Sequence, residues 1–262
     1  MINTYAVITG ASQGLGKSFA LELAKRHLNL ILVGLPHQGF SELCNELKRK
    51  FNIDVICYET DLTQINNVIQ LTNWINEKYP VSILINNAGI GGTKKFDEAS
   101  AAYIESIIQL NVMATTLMTH QLLPNLKKQS KAYILNISSL AAFSPIGFKT
   151  VYPASKAFIH SFTRGLYQEL KDTNVFVSVV NPGPMLTNAE ISKRIKQQGL
   201  WSRLTSLDPD KVAATCITQI FKRDSVIVVN PLSWLFMHLL PIWIKLPLLT
   251  NAIKRELNII KD

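Results

Sequence analysis

The sequence predicts an α/β fold: one doubly wound parallel sheet of about seven strands with helices on both faces. Short apolar runs alternate with amphipathic helical segments along the 262 residues. The runs are almost continuously apolar, as expected for parallel strands that are buried on both faces. No linker interrupts the alternation, so we expect a single domain over residues 1–262.

Seven apolar runs are predicted to be strands, and they cover residues 5–8, 30–33, 55–58, 81–85, 133–137, 175–180 and 226–229. Helical periodicity fills the intervals between them. The helices with clear bounds are expected over residues 65–78, about 99–128, 152–171 and about 208–221. Right-handed crossovers between parallel strands place such helices on both faces of the sheet.

Composition excludes several classes of protein. Apolar types make up 47% of the chain and charged types 17%, which rules out a disordered protein. The net charge is +9, but the sequence has no zinc-finger, basic-zipper or RRM signature, so we expect no nucleic-acid partner. Three widely spaced cysteines predict reduced thiols in a cytoplasmic protein, and we expect no metal site.

The C-terminal segment, about residues 225–262, is unusually apolar. Residues 225–244 contain no Asp, Glu, Lys or Arg, a length that could span a bilayer. Asn230, Pro231 and Pro241 interrupt this stretch, so we do not expect an integral membrane span. We favour a buried strand followed by an apolar lid or interface segment, and peripheral membrane contact stays open as an alternative.

Three glycines lie between the first strand and the first helix. Gly10, Gly14 and Gly16 leave the backbone accessible, so a pyrophosphate could approach it closely. The helix that follows offers unpaired N–H groups and a partial positive charge to such an anion. A plain tight turn is the alternative, but the position directly after the first strand favours a nucleotide site.

Four motifs together resemble the short-chain dehydrogenase/reductase family, with its Rossmann-type fold. They are Thr-Gly-x-x-x-Gly-x-Gly from Thr9, Asn-Asn-Ala-Gly from Asn86, Tyr152-Pro-Ala-Ser-Lys156, and Pro182-Gly183 with Thr187. The resemblance covers roughly residues 4–190. It implies an NAD(P)(H)-dependent oxidoreductase that interconverts a carbonyl and an alcohol by hydride transfer.

The resemblance also implies a set of cofactor-binding residues. Those expected at the glycine turn are Gly10, Ser12, Gln13, Gly14, Leu15 and Gly16. Those expected near the adenosine are Asp61, Leu62, Asn87, Ala88 and Gly89, and those near the nicotinamide are Pro182, Gly183 and Thr187. Two alternatives remain: Asp61 as an ordinary helix cap, and the segment from Asn87 to Gly89 as a simple strand-end turn.

The spacing Tyr-x-x-x-Lys occurs twice, at Tyr152/Lys156 and at Tyr167/Lys171. Only the first pair begins a helix at the carboxyl edge of the predicted sheet, where ligands bind in such folds. Residues four apart share a helix face, so Tyr152 and Lys156 can point into one crevice. We expect Tyr152 to exchange a proton with the substrate oxygen, with a pKa lowered by the Lys156 ammonium. Lys156 and Tyr152 are also expected to contact the cofactor.

Two further catalytic residues follow from the resemblance. Ser139 precedes Tyr152 by the family's separation and would hydrogen-bond the reacting oxygen, with its neighbour Ser138 ranked second. Asn111 matches a helix asparagine that holds a water linking Lys156 to solvent. An ordinary mid-helix residue is the alternative for Asn111, although asparagine is a mediocre helix former.

Cofactor preference depends on the end of the second strand, which reads Gly34-Leu35-Pro36-His37. An acid there would bind a ribose 2′-hydroxyl and a base a 2′-phosphate, and the sequence has neither. Without an acid to repel the phosphate, and with Ser12, Lys17 and His37 nearby, we favour NADP(H) over NAD(H).

The sequence thus predicts an enzyme for a small-molecule, hydrophobic substrate, with a substrate loop at about residues 187–205. By resemblance we expect a homodimer or homotetramer formed through the long helices. The alternative is a catalytically silent nucleotide-binding sensor or scaffold of the same fold.

Overall fold

The structure, a computed structural model, describes residues 4–36, 39–185 and 207–259, with side chains as far as residue 255. Its strands are β1 (Tyr5–Thr9), β2 (Asn29–Gly34), β3 (Val55–Glu59), β4 (Val81–Asn86), β5 (Ala132–Ile137), β6 (Val175–Val180) and β7 (Val226–Ile227). All neighbouring strands pair in parallel, in the order β3-β2-β1-β4-β5-β6-β7. The winding therefore reverses between β1 and β4, and a crevice opens there at the carboxyl edge.

The helices on the sheet are α1 (Gly14–Ala24), α2 (Phe40–Phe51), α3 (Ile65–Lys78), α4 (Ala101–Ile108), α5 (Thr115–Lys127), α6 (Val151–Leu170) and α7 (Pro209–Phe221). Two more follow β7, α8 (Pro231–Leu239) and α9 (Ile242–Ile259). Among the described residues no helix is both long and apolar enough to cross a bilayer.

The core lies in two layers, one on each face of the sheet. In β2, Leu30 and Leu32 face the layer that contains α1, α2 and α7, while Ile31 and Val33 face the layer of α3 and α5. All four side chains are fully buried. A strand buried on both faces must be apolar at every position, which is the pattern that predicted the doubly wound sheet. That prediction is confirmed.

The long helix predicted over residues 99–128 differs in detail. The chain is helical from Ala101 to Lys127, but the turns from Gln109 to Ala114 are π-helical. Such wider turns are rare and occur mostly at functional sites. The periodicity of apolar residues does not distinguish them from α-helix, so the sequence missed them. Strand β7 is also shorter than predicted, because only Val226 and Ile227 pair with β6.

The prediction of three reduced cysteines is wrong for two of them. Cys44 in α2 and Cys57 in β3 form a disulfide, with their Cα atoms 6.3 Å apart. Their spacing matches no motif, but α2 folds back onto β3 and brings them together. Cys216 is free and buried in α7, and burial raises the pKa of its thiol.

Candidate active site

The glycine turn after β1 is shaped by contacts that exclude side chains. Gly10 has a φ of +66°, in the left-handed region that favours glycine. A Cβ atom at Gly16 would lie 2.0 Å from the carbonyl oxygen of Gly10, which is closer than any real contact. The first turn of α1 therefore sits directly against the backbone of the turn.

The N-terminus of α1 is suited to bind an anion. Gln13 occupies the capping position, but its side chain makes no capping hydrogen bond, and the first turn contains no acidic residue. The first N–H groups of a helix lack partners within the helix and carry a partial positive charge. Ser12, Gly14 and Leu15 belong to the same turn, so the residues predicted for the pyrophosphate lie together and fit this group.

The Asn-Asn-Ala-Gly segment after β4 braces the glycine turn. The hydroxyl of Thr9 accepts hydrogen bonds from the backbone N–H groups of Asn87 and Ala88, both at 3.0 Å. The Asn87 amide donates to the carbonyl oxygens of Thr9 and Gly10, at 3.0 and 3.1 Å. The amide of Asn87 is thus committed to the turn, a bracing role that the sequence analysis did not foresee.

The segment also reaches the catalytic residues. A Cβ at Gly89 would lie 3.1 Å from Oδ1 of Asn111 and 3.2 Å from Nζ of Lys156. The glycine turn and the predicted catalytic groups are therefore parts of one crevice, at the switch point between β1 and β4.

Asp61 follows β3 at the same edge of the sheet. Its Oδ1 accepts a hydrogen bond from the N–H of Thr63 at 2.9 Å, which closes a tight turn ahead of α3. Leu62 is buried in the core, 5% exposed. The capping residue of α3 is Gln64, so Asp61 is not the cap of that helix. The bond to Thr63 leaves its second carboxylate oxygen available to a ligand.

Tyr152 and Lys156 lie in the first turns of α6. Nζ of Lys156 is 5.9 Å from the centre of the Tyr152 ring and donates a hydrogen bond to the carbonyl oxygen of Ile137 at 2.9 Å. Ile137 is the last residue of β5, so the end of the strand holds the lysine in place. The backbone of Gly91 closes the other side, since a Cβ there would be 3.2 Å from the Tyr152 ring.

The two serines after β5 have different partners, as the sequence predicted. The hydroxyl of Ser139 is hydrogen-bonded to the hydroxyl of Tyr152. The hydroxyl of Ser138 is buried and donates to the carbonyl oxygen of Lys156 at 2.7 Å. Ser139 thus joins the Tyr152 hydroxyl, whereas Ser138 ties α6 to the sheet.

Asn111 lies in the π-helical turns and is fully buried. Its Oδ1 accepts from the N–H of Ile90, and its Nδ2 donates to the carbonyl oxygen of Ile90 and to the hydroxyl of Ser155, all at 2.9 Å. Both amide hydrogens are therefore used within the protein. The alternative of an ordinary mid-helix residue does not fit, because these bonds join α4–α5 to α6 and to the loop after β4.

Burial sets the electrostatics of the pair. Desolvation lowers the pKa of Lys156 from 10.5 to about 8. Desolvation raises the pKa of Tyr152, and the hydrogen bond from Ser139 acts in the opposite direction. The predicted lowering of the tyrosine pKa by Lys156 is therefore not the dominant effect, because the loss of water around the phenol outweighs it.

Several predicted residues lie elsewhere on the edge or outside the described part of the chain. Pro182 and Gly183 follow β6, and the carbonyl oxygen of Pro182 accepts from the N–H of Leu140 at 3.0 Å. This bond fixes them beside Ser139. Thr187, the substrate loop at 187–205 and His37 lie outside the described residues.

Sequence reasoning missed three contributors. Thr9 braces the turn, Ser155 links Asn111 to the carbonyl oxygen of Tyr152, and Glu59 lies opposite Gly34, at the strand end where an acid was thought to be missing. Thr9 and Ser155 stand inside the quoted motifs, so the motifs contained the signal. The position of Glu59 opposite Gly34 depends on the pairing of β3 with β2, which the sequence alone does not reveal.

Comparison with known proteins agrees with this geometry. The sequence profile described as short chain dehydrogenase matches residues 4–198. The chain belongs to the short-chain dehydrogenase family. An uncharacterized oxidoreductase of Staphylococcus saprophyticus is 31% identical over 213 residues, which are 81% of this chain and 88% of that protein. A very-long-chain 3-oxoacyl-CoA reductase of Anas platyrhynchos is 31% identical over 201 residues, or 73% of this chain, and the match spans 63% of its length.

Solved structures carry the same fold. A short-chain dehydrogenase from Sphingobium yanoikuyae in complex with NADPH gives a TM-score of 0.78 at 28% identity, over 87% of this chain and 88% of that one. One from Burkholderia phymatum in complex with NAD gives 0.80 at 25% identity, over 91% and 94%. This short-chain dehydrogenase is therefore a nicotinamide-dependent oxidoreductase that acts on carbonyl and alcohol groups.

Proposed function

We propose that Tyr152 is the general acid/base of a reaction that interconverts a hydrophobic ketone and its alcohol. The observation that carries the proposal is that three side chains lie close together. The hydroxyl of Tyr152 is hydrogen-bonded to that of Ser139, and Lys156 lies one turn further along α6. They meet beside the glycine turn, at the edge of the sheet where ligands bind.

The chain's own residues would hold the dinucleotide as follows. The turn from Gly10 to Gly16 would receive the pyrophosphate at the N-terminus of α1. Asp61 and Leu62 would lie at the adenine, the segment Asn87–Gly89 along its ribose, and Pro182, Gly183 and Thr187 around the nicotinamide. When bound, the cofactor supplies or accepts the hydride.

Proton transfer falls to the residues of α6. As a ketone is reduced, negative charge develops on its oxygen, and the hydroxyls of Ser139 and Tyr152 can both donate to that oxygen. Tyr152 then gives up its proton, and the nearby ammonium of Lys156 favours the phenolate that remains. Lys156 would also hold the nicotinamide ribose hydroxyls. Asn111 would position Lys156, and any water it holds must use its main-chain oxygen, because its side chain is engaged.

A hydrophobic substrate is supported by the inner side of α8, where Met237 is buried and the ring of His238 lies 4.3 Å from that of Phe143. Phe143 follows Ser139 by four residues. The resemblance to reductases of very-long-chain 3-oxoacyl-CoA points in the same direction. We assign substrate binding to the loop at 187–205 and the segment after residue 225, within a single domain of residues 1–262.

NADP(H) is proposed as the preferred cofactor. Residues 34–36 after β2 contain no acid that would repel a 2′-phosphate. Relatives of this fold have been solved with either cofactor. Glu59 lies opposite Gly34 but ends β3, so it does not occupy the position at the end of β2 on which this preference rests. Comparing kcat/KM for NADPH and NADH with one ketone tests the preference, and an equal or higher value for NADH would contradict it.

We also propose a cytoplasmic homo-oligomer formed through the long helices. Ile108 in α4 and Phe158 in α6 are each 43% exposed, and Phe158 stacks on Phe162. Exposed apolar side chains on packed neighbouring helices are typical of a subunit interface. The cytoplasmic location rested on reduced thiols, and the Cys44–Cys57 disulfide leaves only the buried Cys216 as a free thiol among the described residues.

The decisive test replaces Tyr152 by phenylalanine. Loss of the acid is expected to lower kcat by roughly 10²–10⁴-fold across a panel of ketones, while affinity for the dinucleotide stays close to that of the wild type. Tyr167→Phe is the matched control, because Tyr167 has the same spacing to Lys171 but lies deep in α6. Equal rates for Tyr152→Phe and Tyr167→Phe would refute the proposed acid. A wild-type protein that binds the dinucleotide but reduces none of the ketones would favour a nucleotide-binding scaffold.

A further inference from the structure

The helices α8 and α9 expose apolar side chains at an unusual density. Of the fourteen large apolar side chains that are exposed among the described residues, eight lie between Leu232 and Leu248. Leu232 is 81% exposed, Trp243 73% and Leu239 71%. Apolar residues exposed singly are ordinary, but a contiguous patch of this kind marks an interaction surface. We call it the C-terminal face.

The opposite side of these helices is packed on the catalytic crevice. The buried Lys245 donates hydrogen bonds to the carbonyl oxygens of Phe143 and Met237. The hydroxyl of Thr250 accepts from the N–H of Gly147 at 3.0 Å. Because Phe143 lies four residues after Ser139, the C-terminal face is held rigidly beside the active site. It is the outer surface of an ordered helix pair.

The net charge of this region is positive. From residue 225 to residue 259 the chain has Lys245, Lys254 and Arg255 against one acidic residue, Glu256, and Lys254 and Arg255 are exposed on the last turns of α9. The whole chain carries +9. Exposed Leu and Trp followed by basic residues on the same helix are a combination found in helices that lie in the interface of an anionic membrane. Tryptophan favours the level of the lipid headgroups, which suits Trp243.

We propose that the C-terminal face docks onto the surface of a bilayer containing anionic phospholipid, with α8 and α9 lying in the interface plane. A second copy of this chain is the competing occupant. A two-fold symmetric contact would place two copies of the same positively charged region against each other, and the repulsion between like charges opposes it. The proposal goes beyond the reaction and does not depend on it.

The experiment is flotation of the full chain with vesicles of phosphatidylcholine, alone or mixed with phosphatidylglycerol. We expect the protein to float with the mixed vesicles and added salt to weaken binding. The double variant Leu239→Glu/Trp243→Glu is expected to lower the bound fraction at least tenfold. Phe96→Glu is the matched control, since Phe96 is 62% exposed but far from the face in sequence, and it should bind as the wild type does. Circular dichroism and melting temperature confirm that both variants are folded.

Three results would overturn the proposal: wild-type protein that stays with neither vesicle, equal binding to both vesicles, or a folded double variant that floats as well as the wild type. A double variant that turns an oligomer into a monomer, from a wild type that ignores vesicles, would assign the face to a second copy. None of these readouts uses turnover, so they are separate from the test of Tyr152.

Discussion

The carboxyl edge of the sheet and the C-terminal face show opposite departures from the ordinary distribution of polarity. At the edge, polar groups are buried: Asn111 is 0% exposed, Ser155 4% and Lys156 6%. On the face, apolar groups are exposed, with Leu232 at 81% and Trp243 at 73%. Both arrangements are unfavourable for a folded chain in water unless something compensates. At the edge, hydrogen bonds within the chain compensate for the buried polar groups. On the C-terminal face, only contact with something outside the chain can compensate for the exposed apolar side chains.

The largest loss of stability is expected at the carboxyl edge of the sheet, when a side chain that makes several hydrogen bonds is removed. Asn111→Ala leaves the N–H and carbonyl of Ile90 and the hydroxyl of Ser155 without this partner. The bond to Ser155 is buried and the two bonds to Ile90 are partly buried. At roughly 1–3 kcal/mol for a buried group left unsatisfied, the free energy of unfolding should fall by about 3 kcal/mol. Urea unfolding measures it.

The matched control for that variant is Asn76→Ala. Asn76 is exposed and donates to the carbonyl oxygen of Gln121 at 2.9 Å. Water can replace that bond, so we expect a loss below about 1 kcal/mol. Similar losses for the two variants would mean that the buried network is not what distinguishes the edge.

A smaller, pH-dependent effect is expected from the buried ammonium. Burial lowers the pKa of Lys156 from 10.5 to about 8. As the pH falls, the amine therefore takes up a proton near pH 10.5 in the unfolded chain but only near pH 8 in the folded chain. The stability contribution of Lys156 therefore rises with pH from 8 to 10.5 and is lowest below 8.

Lys156→Met removes this dependence. The difference in free energy of unfolding, variant minus wild type, should be largest below pH 8. It should fall by roughly 2–3 kcal/mol as the pH approaches 10. Urea titrations at several pH values measure the difference, with Lys171→Met as the lysine removed from the exposed end of α6. A difference for Lys156→Met that does not change with pH would contradict the burial of a titrating amine.

The smallest effect is expected on the C-terminal face. Leu232→Ser removes an apolar side chain that is already in water, so stability should change by no more than about 0.5 kcal/mol. A melting curve of the free protein checks this. A large loss would show that Leu232 is covered within the protein's own assembly, and the contrast between edge and face would disappear.

Prediction from the sequence succeeded where the physics is local. Strands buried on both faces are apolar at every position, so β1 to β6 were located to within a residue or two at their ends. Tyr152 and Lys156 share a face because of helix geometry alone. Gly16 was singled out as part of a glycine turn directly after the first strand, and the structure adds that a Cβ there would collide with the carbonyl oxygen of Gly10.

Prediction failed where distant segments meet. Cys44 and Cys57 form a disulfide because α2 folds back onto β3. The spacing of the two cysteines in the sequence does not predict this contact. The amide of Asn87 is engaged by the glycine turn, and burial reverses the expected direction of the Tyr152 pKa shift. Each depends on the surroundings of a side chain, which are contributed by other parts of the chain.

The sequence by itself determined the order of strands and helices, the glycine turn and the identity of the residues able to exchange a proton. These follow from periodicity, backbone freedom and side-chain chemistry, which belong to each residue and its near neighbours. Only the tertiary structure decided which polar groups lose water, which cysteines pair and which apolar side chains stay exposed. Burial is a property of the space between elements, and that space exists only after they have packed.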